Sequence, residues 1–140
     1  MDADALDEVV GGWLAEQLPD GDRSAVAVDG KTLRGATDTD GHRPHLLAAL
    51  VHGHGSVVAQ RQVDAKTSEI SGFAPLLDQV DLAGRVVTVD ALHTQGAHAR
   101  YLVERRQAAY LLVVKGNQPG LVQAIDQLPE QAFSPGAPDR

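Results

Sequence analysis

Between Ala25 and Val63, three strand-like apolar runs succeed one another with only turns between them; after Ile70, helical and strand-like patterns alternate. Few small architectures accommodate that change of rhythm. The first run, Ala25 to Val28, is short and continuously apolar and ends at Asp29-Gly30, the pattern of a strand buried on both faces. The second is His45 to Val51. The third, Ser56 to Val63, interleaves polar residues such as Gln60 and Gln62. A polar stretch from Gly35 to Arg43, with a turn-like tip at Asp38-Thr39-Asp40-Gly41, joins the first two, and His52-Gly53-His54-Gly55 joins the last two tightly. The three runs predict an antiparallel meander with its third strand at an edge.

Ile70, Phe73, Leu76, Leu77 and Val80 then follow helical spacing, with Pro75 expected in the first turn. Arg85 to Val89 is rich in β-branched residues and ends at Asp90. Thr94 is placed to cap a helix from about Gln95 to Arg106, and Ala109 to Val114 is a further apolar strand. Strand, helix and strand in that order make a β-α-β unit, so its two strands should be parallel. Pro119 opens a last helix with Leu121, Val122, Ile125 and Leu128 on one face. Upstream, Leu6, Val9, Val10, Trp13, Leu14 and Leu18 predict an amphipathic helix over about Ala5 to Leu18, broken by Pro19-Asp20-Gly21. Three antiparallel strands followed by two parallel ones with flanking helices is the layout of the ribonuclease-H-like α/β fold.

A chain of 140 residues holds one modest core, and 43% hydrophobic with 22% charged residues is too apolar for a disordered segment. No run reaches the ~18 apolar residues of a membrane span. The acidic start, with Asp2, Asp4, Asp7 and Glu8, lacks the basic beginning of a signal peptide, so no membrane partner and a cytoplasmic location are expected. The absence of cysteine excludes disulfides, thiol nucleophiles and thiolate zinc sites. A net charge of -7 is the reverse of the basic face by which proteins displace counterions from DNA. Any DNA role therefore rests on a local site, on metal cations, or on basic segments outside these residues.

In the expected sheet the first strand lies beside the fourth, so Asp29 and Asp90 should face each other at one edge. Such a pair repels, and a hard divalent ion such as magnesium or manganese relieves the repulsion through oxygen ligands. On spacing alone, each Asp could equally be an ordinary strand terminator. Two other motifs fail on their own terms. Gly30-Lys31-Thr32 resembles the end of a phosphate-binding loop, but Ala25 stands where the required glycine belongs, and Asp38-Thr39-Asp40-Gly41 resembles a calcium loop, but Ala49 stands where its Glu belongs. The pairs His52/His54 and His93/His98 have no third ligand in view.

Four blocks in order carry more information than the acids alone: Ala27-Val28-Asp29-Gly30-Lys31-Thr32-Leu33-Arg34-Gly35; Val63-Asp64-Ala65-Lys66-Thr67-Ser68-Glu69-Ile70; Val87-Thr88-Val89-Asp90-Ala91 with Gln95; and Lys115-Gly116-Asn117-Gln118. Together they resemble the H-repeat-associated transposases, a class of bacterial insertion-sequence DDE transposases, from about Leu6 to Leu128. The resemblance implies a helical lead-in over 1–22 and a ribonuclease-H-like catalytic domain over 23–128; the remainder, 129–140, lacks periodicity and is expected to be an irregular tail. The resemblance also implies that Asp29 and Asp90 are the first two catalytic acids and the ligands of Mg2+ or Mn2+, and that the partner of full-length relatives is DNA at transposon ends. A homo-oligomer is left open. Lys31, Arg34 and Lys115 are placed to meet phosphates, against the plainer reading of solvated surface charges. Asn117 and Gln118 suit either helix capping, slightly favoured, or substrate binding. Glu69 and Lys66 have no chemical role legible beyond helix-start electrostatics.

The family's third acid, a Glu in a stretch that also carries Tyr, Arg and Lys, is expected far beyond the Lys-Gly-Asn-Gln block. Asp126 and Glu130 are the only late acids offered as substitutes, and neither has those neighbours. The expectation is therefore a truncated transposase that holds metal weakly and is inactive alone. The alternative is a non-catalytic remnant that acts only by pairing with full-length transposase.

Overall fold

A computed structural model describes residues 2–37, 39–64 and 66–129 of the protein. Among these, five strands form one mixed sheet in the order β3-β2-β1-β4-β5: β1 is Val26–Thr32, β2 His45–Val51, β3 Ser56–Val63, β4 Val86–Val89 and β5 Ala109–Leu112. The first three run antiparallel, with Val26 opposite Val51 and Thr32 opposite His45, while β4 runs parallel to both β1 and β5. The ribonuclease-H-like arrangement expected from the order of the runs is the one observed, with β3 at an edge. Helix α1 is Ala3–Glu16 and α2 is Lys66–Leu77; α3, Gly96–Arg100, continues as a π-helical turn over Tyr101–Arg105, and α4 is Pro119–Asp126.

Strand alternation decides which side of the sheet is core. Val26 and Val28 of β1, Leu47, Ala49 and Val51 of β2, and Val87 and Val89 of β4 are buried with Phe73, Leu76 and Leu77 of α2 and Leu102 of the π-helical turn. Residues of the opposite set, Ala27, Ala48, Leu50 and Thr88, are only half-buried, and Asp29 and Asp90 are exposed. One face is therefore packed, and the other stays open beside the acids.

Several expectations need correction. Strand β1 is not buried on both faces and does not stop at Val28: β2 supplies a backbone partner for every residue to Thr32, so Asp29 lies within the strand, paired with Ala48. Helix α2 starts at Lys66, so Pro75 falls in its last turn rather than its first, where its missing N–H removes one i−4 helical bond just before the helix ends at Leu77. Thr94 does not N-cap α3, whose N-cap is Gln95. A short 3-10 turn, Ala91–His93, intervenes with Asp90 as its cap, and the Thr94 hydroxyl bonds to the carbonyls of Asp90 at 3.1 Å and Val113 at 2.6 Å. Helix α1 meets β3 through Gly11, where a Cβ would come within 2.5 Å of the Val58 carbonyl oxygen, while Val9 and Trp13 of its apolar stripe are exposed. Strand β5 ends at Leu112, before Val114. No residue of α4 is buried, and its expected inner face includes the exposed Leu121. Asn117 and Gln118 bond backwards to the carbonyls of Ala91, at 3.0 Å, and Thr94, at 2.5 Å, so neither side chain caps α4. Asp38, in the expected turn tip, and residues 130–140, with Glu130 and nearly all of the expected tail, lie outside the described residues.

Candidate functional site

The parallel register of β1 and β4 pairs Val26 with Val87, Ala27 with Thr88 and Val28 with Val89. One residue further in that register, Asp29 comes beside Asp90. Both follow a buried valine, so strand alternation turns both toward the open face. They share a shallow depression floored by Ala27, Leu50 and Thr88, with Leu111 and Val113 along its side.

The two acids are held differently. Asp90 leaves the end of β4 in extended conformation, and its Oδ1 accepts hydrogen bonds from the backbone N–H groups of Leu92 at 3.1 Å and His93 at 3.3 Å. Those bonds satisfy otherwise unpaired donors of the 3-10 turn and fix the carboxyl group's direction. Among the described residues, nothing donates to Asp29, and the bonds to Asp90 all fall on Oδ1.

Directly beneath, on the packed face, lies a polar cluster that the sequence pattern did not single out. Glu69 of α2 is 2% exposed. Its Oε1 pairs with Nε2 of His45, and its Oε2 with Nε2 of His93 at 3.2 Å. His45 is in turn bonded through Nδ1 to the Thr32 hydroxyl at 2.8 Å. His93 and His98 stack on Phe73 rather than converging on a metal, and both nitrogens of His98 are engaged by the carbonyls of His93 and Ile70. Burial holds the His93 imidazole below its ordinary pKa, although Asp90 and Glu69 pull the other way.

Lys31 and Arg34 are exposed and border a second depression, with Gly30, Thr32 and His45, just beyond the acids along β1. Lys115 is exposed past the end of β5, at the end of the sheet where Asp90 leaves β4. In the other histidine pair singled out above, His54 pairs with Asp22 at 2.9 Å and His52 bonds to the Thr88 hydroxyl at 3.2 Å. Asp126 ends α4, an element without a buried residue. No group of three or more His, Asp or Glu among the described residues is arranged to hold a metal, and no helix among them is long and apolar enough to cross a membrane.

Residues 20–132 match the model of the transposase DDE domain family. YncI of Escherichia coli O157:H7, a transposase by name, is 33% identical over 96% of this chain. YhhI of Escherichia coli strain K12, an H repeat-associated transposase by name, is 32% identical over 82% of it. The chain spans 35% and 31% of those two relatives' lengths. Among solved structures, a piggyBac transposase in a synaptic complex with hairpin DNA superposes with a TM-score of 0.53 at 13% identity, over 83% of this chain and 27% of that one, a likeness of fold alone. The match over most of its length and the shared sheet agree with the four sequence blocks: the chain belongs to the transposase DDE domain family.

Proposed function

We propose that the chain is the front part of a DNA-cutting and DNA-joining transposase domain, in which Asp29 and Asp90 are catalytic acids that hold a divalent metal. The observation that carries this reading is the β1–β4 register, which sets two exposed carboxyl groups side by side on the open face of the sheet. Neighbouring strands lie ~4.8 Å apart, a spacing that one cation can bridge. The donor set is all oxygen, which suits Mg2+ or Mn2+ rather than a softer ion. When bound, such ions activate water or a 3′-hydroxyl and stabilise the leaving oxygen of a phosphodiester.

The chain's own residues supply the rest of the site. The Leu92 and His93 amides hold Asp90 in one direction, and Asp29, without a donor among the described residues, offers both oxygens. Lys31, Arg34 and Lys115 meet phosphates on either side of the acids, Arg34 through its planar fork and the lysines as point charges. The substrate is DNA at transposon ends. With two acids and no third assigned among the described residues, the chain binds metal weakly and does not cut DNA alone, because an incomplete constellation misplaces the reacting groups.

Mn2+ titration followed by paramagnetic relaxation tests the assignment. Weak binding that is lost in Asp29→Ala and in Asp90→Ala is expected; tight binding that survives both places the metal elsewhere and overturns it. Incubation with supercoiled plasmid and Mg2+ or Mn2+ should give no nicking. Metal-dependent nicking that disappears in Asp90→Ala would refute the inactivity of the isolated chain.

A further inference from the structure

We propose that Glu69 is a positioning residue for the acid pair: its buried carboxyl group, seated against Gly30 and tied to His93, sets the separation and tilt of the segments that carry Asp29 and Asp90. The inference rests on the reading of those acids as metal ligands and deepens it.

Three contacts converge on this one group. A Cβ built at Gly30 would lie 2.6 Å from the Cδ, Oε1 and Oε2 of Glu69 alike, so the carboxyl group lies face-on against the strand at the residue after Asp29. A side chain there would have to displace the Glu69 carboxyl group, which gives a reason for glycine in the middle of a strand, where it otherwise weakens pairing. Through His45, the same carboxyl group reaches Thr32, two residues further along β1. Through Oε2 it reaches His93, whose backbone N–H donates to the Asp90 carboxyl group. Glu69 thus touches both segments from the packed face while the acids project from the open one. A buried carboxyl group kept in place by two imidazoles is stiff, because any displacement leaves polar atoms unpaired in the interior.

An apolar side chain of similar size would fill the same volume, but it would lack the directional bonds that fix His93 and, through it, the turn capped by Asp90. Groups that orient metal ligands from behind affect metal affinity even though they never touch the ion. Glu69 has that relation to both acids at once.

The test uses the 140-residue chain and Mn2+ alone, with broadening of the amide signals of Gly30, Leu92 and His93 as the readout and the dispersed amide spectrum as the check on folding. In Glu69→Ala the folded protein should lose about tenfold in Mn2+ affinity. Glu69→Gln keeps the volume and can still accept from one imidazole, so it should recover most of that loss. Gly30→Ala should weaken binding as Glu69→Ala does, and the double variant should be little worse than either single one, because both changes disrupt one contact. Wild-type affinity in folded Glu69→Ala, with only the melting temperature lowered, would make Glu69 purely structural and overturn the proposal. If that variant does not fold, unchanged affinity in folded Gly30→Ala overturns it instead. Additive losses in the double variant would equally refute the shared contact. Broadening that persists in Asp29→Asn and Asp90→Asn would remove the metal site itself and this proposal with it, and it would register in the aspartate variants rather than at Glu69.

Discussion

Single side chains differ widely in how openly the sequence declares them. Asp22 accepts a hydrogen bond from the Ser24 N–H at 2.6 Å and faces His54 and Arg85. The Ser24 bond, more than those charges, holds its carboxyl group below the ordinary aspartate pKa. The folded state therefore releases this proton more readily than the unfolded chain. Its contribution is present above the unfolded value of ~3.9 and is lost as pH falls through the lower folded one. Asp22→Asn should accordingly lower the melting temperature at pH 7, with the gap to wild type closing under acid; a gap that stays constant down to pH 2 would contradict this. Asp29 and Asp90 stand out in the sequence because each follows a short apolar run, although Asp29 lies within β1 and only Asp90 leaves the end of a strand. Glu69 was not, since its two partners, His45 and His93, lie far from it in the chain on either side and helical periodicity marks it only as a polar residue at a helix start. The signal that was present is Gly30, a glycine inside a strand, which points to something pressing closely against the backbone.

At the level of elements, existence and order were readable; the bounds of β2 and β3 fell where the apolar runs placed them, while those of other elements moved. The meander followed from three runs separated by turns, and the parallel pair from the helix between β4 and β5. Ends moved where a hydrogen-bonding partner, rather than side-chain character, set them: β1 continues through polar residues because β2 pairs with it. Exposure was the least readable property. Leu102 and Leu111 are equally apolar in sequence, yet Leu102 is 0% exposed and Leu111 is 63% exposed. Leu102→Ala should cost roughly 2–5 kcal/mol in urea unfolding, whereas Leu111→Lys, on the open side of β5, should stay within about 0.5 kcal/mol. Equal losses would mean that the open face is covered in solution.

For the molecule as a whole, charge and surface set the terms of any encounter with DNA. The net charge of -7 leaves the three cations near the acids as the only phosphate contacts assigned to this chain. With all of Lys31, Arg34 and Lys115 engaged, log affinity against log salt should fall with a slope no steeper than about -2.7, from about -0.9 per phosphate neutralised. A fluorescence anisotropy titration measures it, and a much steeper slope would reveal a basic surface not assigned here. The sheet's two sides also tolerate changes in chain length very differently. Asp29 and Asp90 meet because the strands that carry them are in one register, and successive residues of a strand face opposite ways. Removal of one residue from the exposed connection around Gly35 or His42 shortens a loop and leaves that register untouched. Removal of one residue inside Val86–Val89 inverts everything that follows it in the strand, turning Asp90 toward Phe73 and α2 and leaving Asp29 alone on the open side. For this domain, gain or loss of a single codon is tolerable or ruinous according to whether it falls between strands or within one.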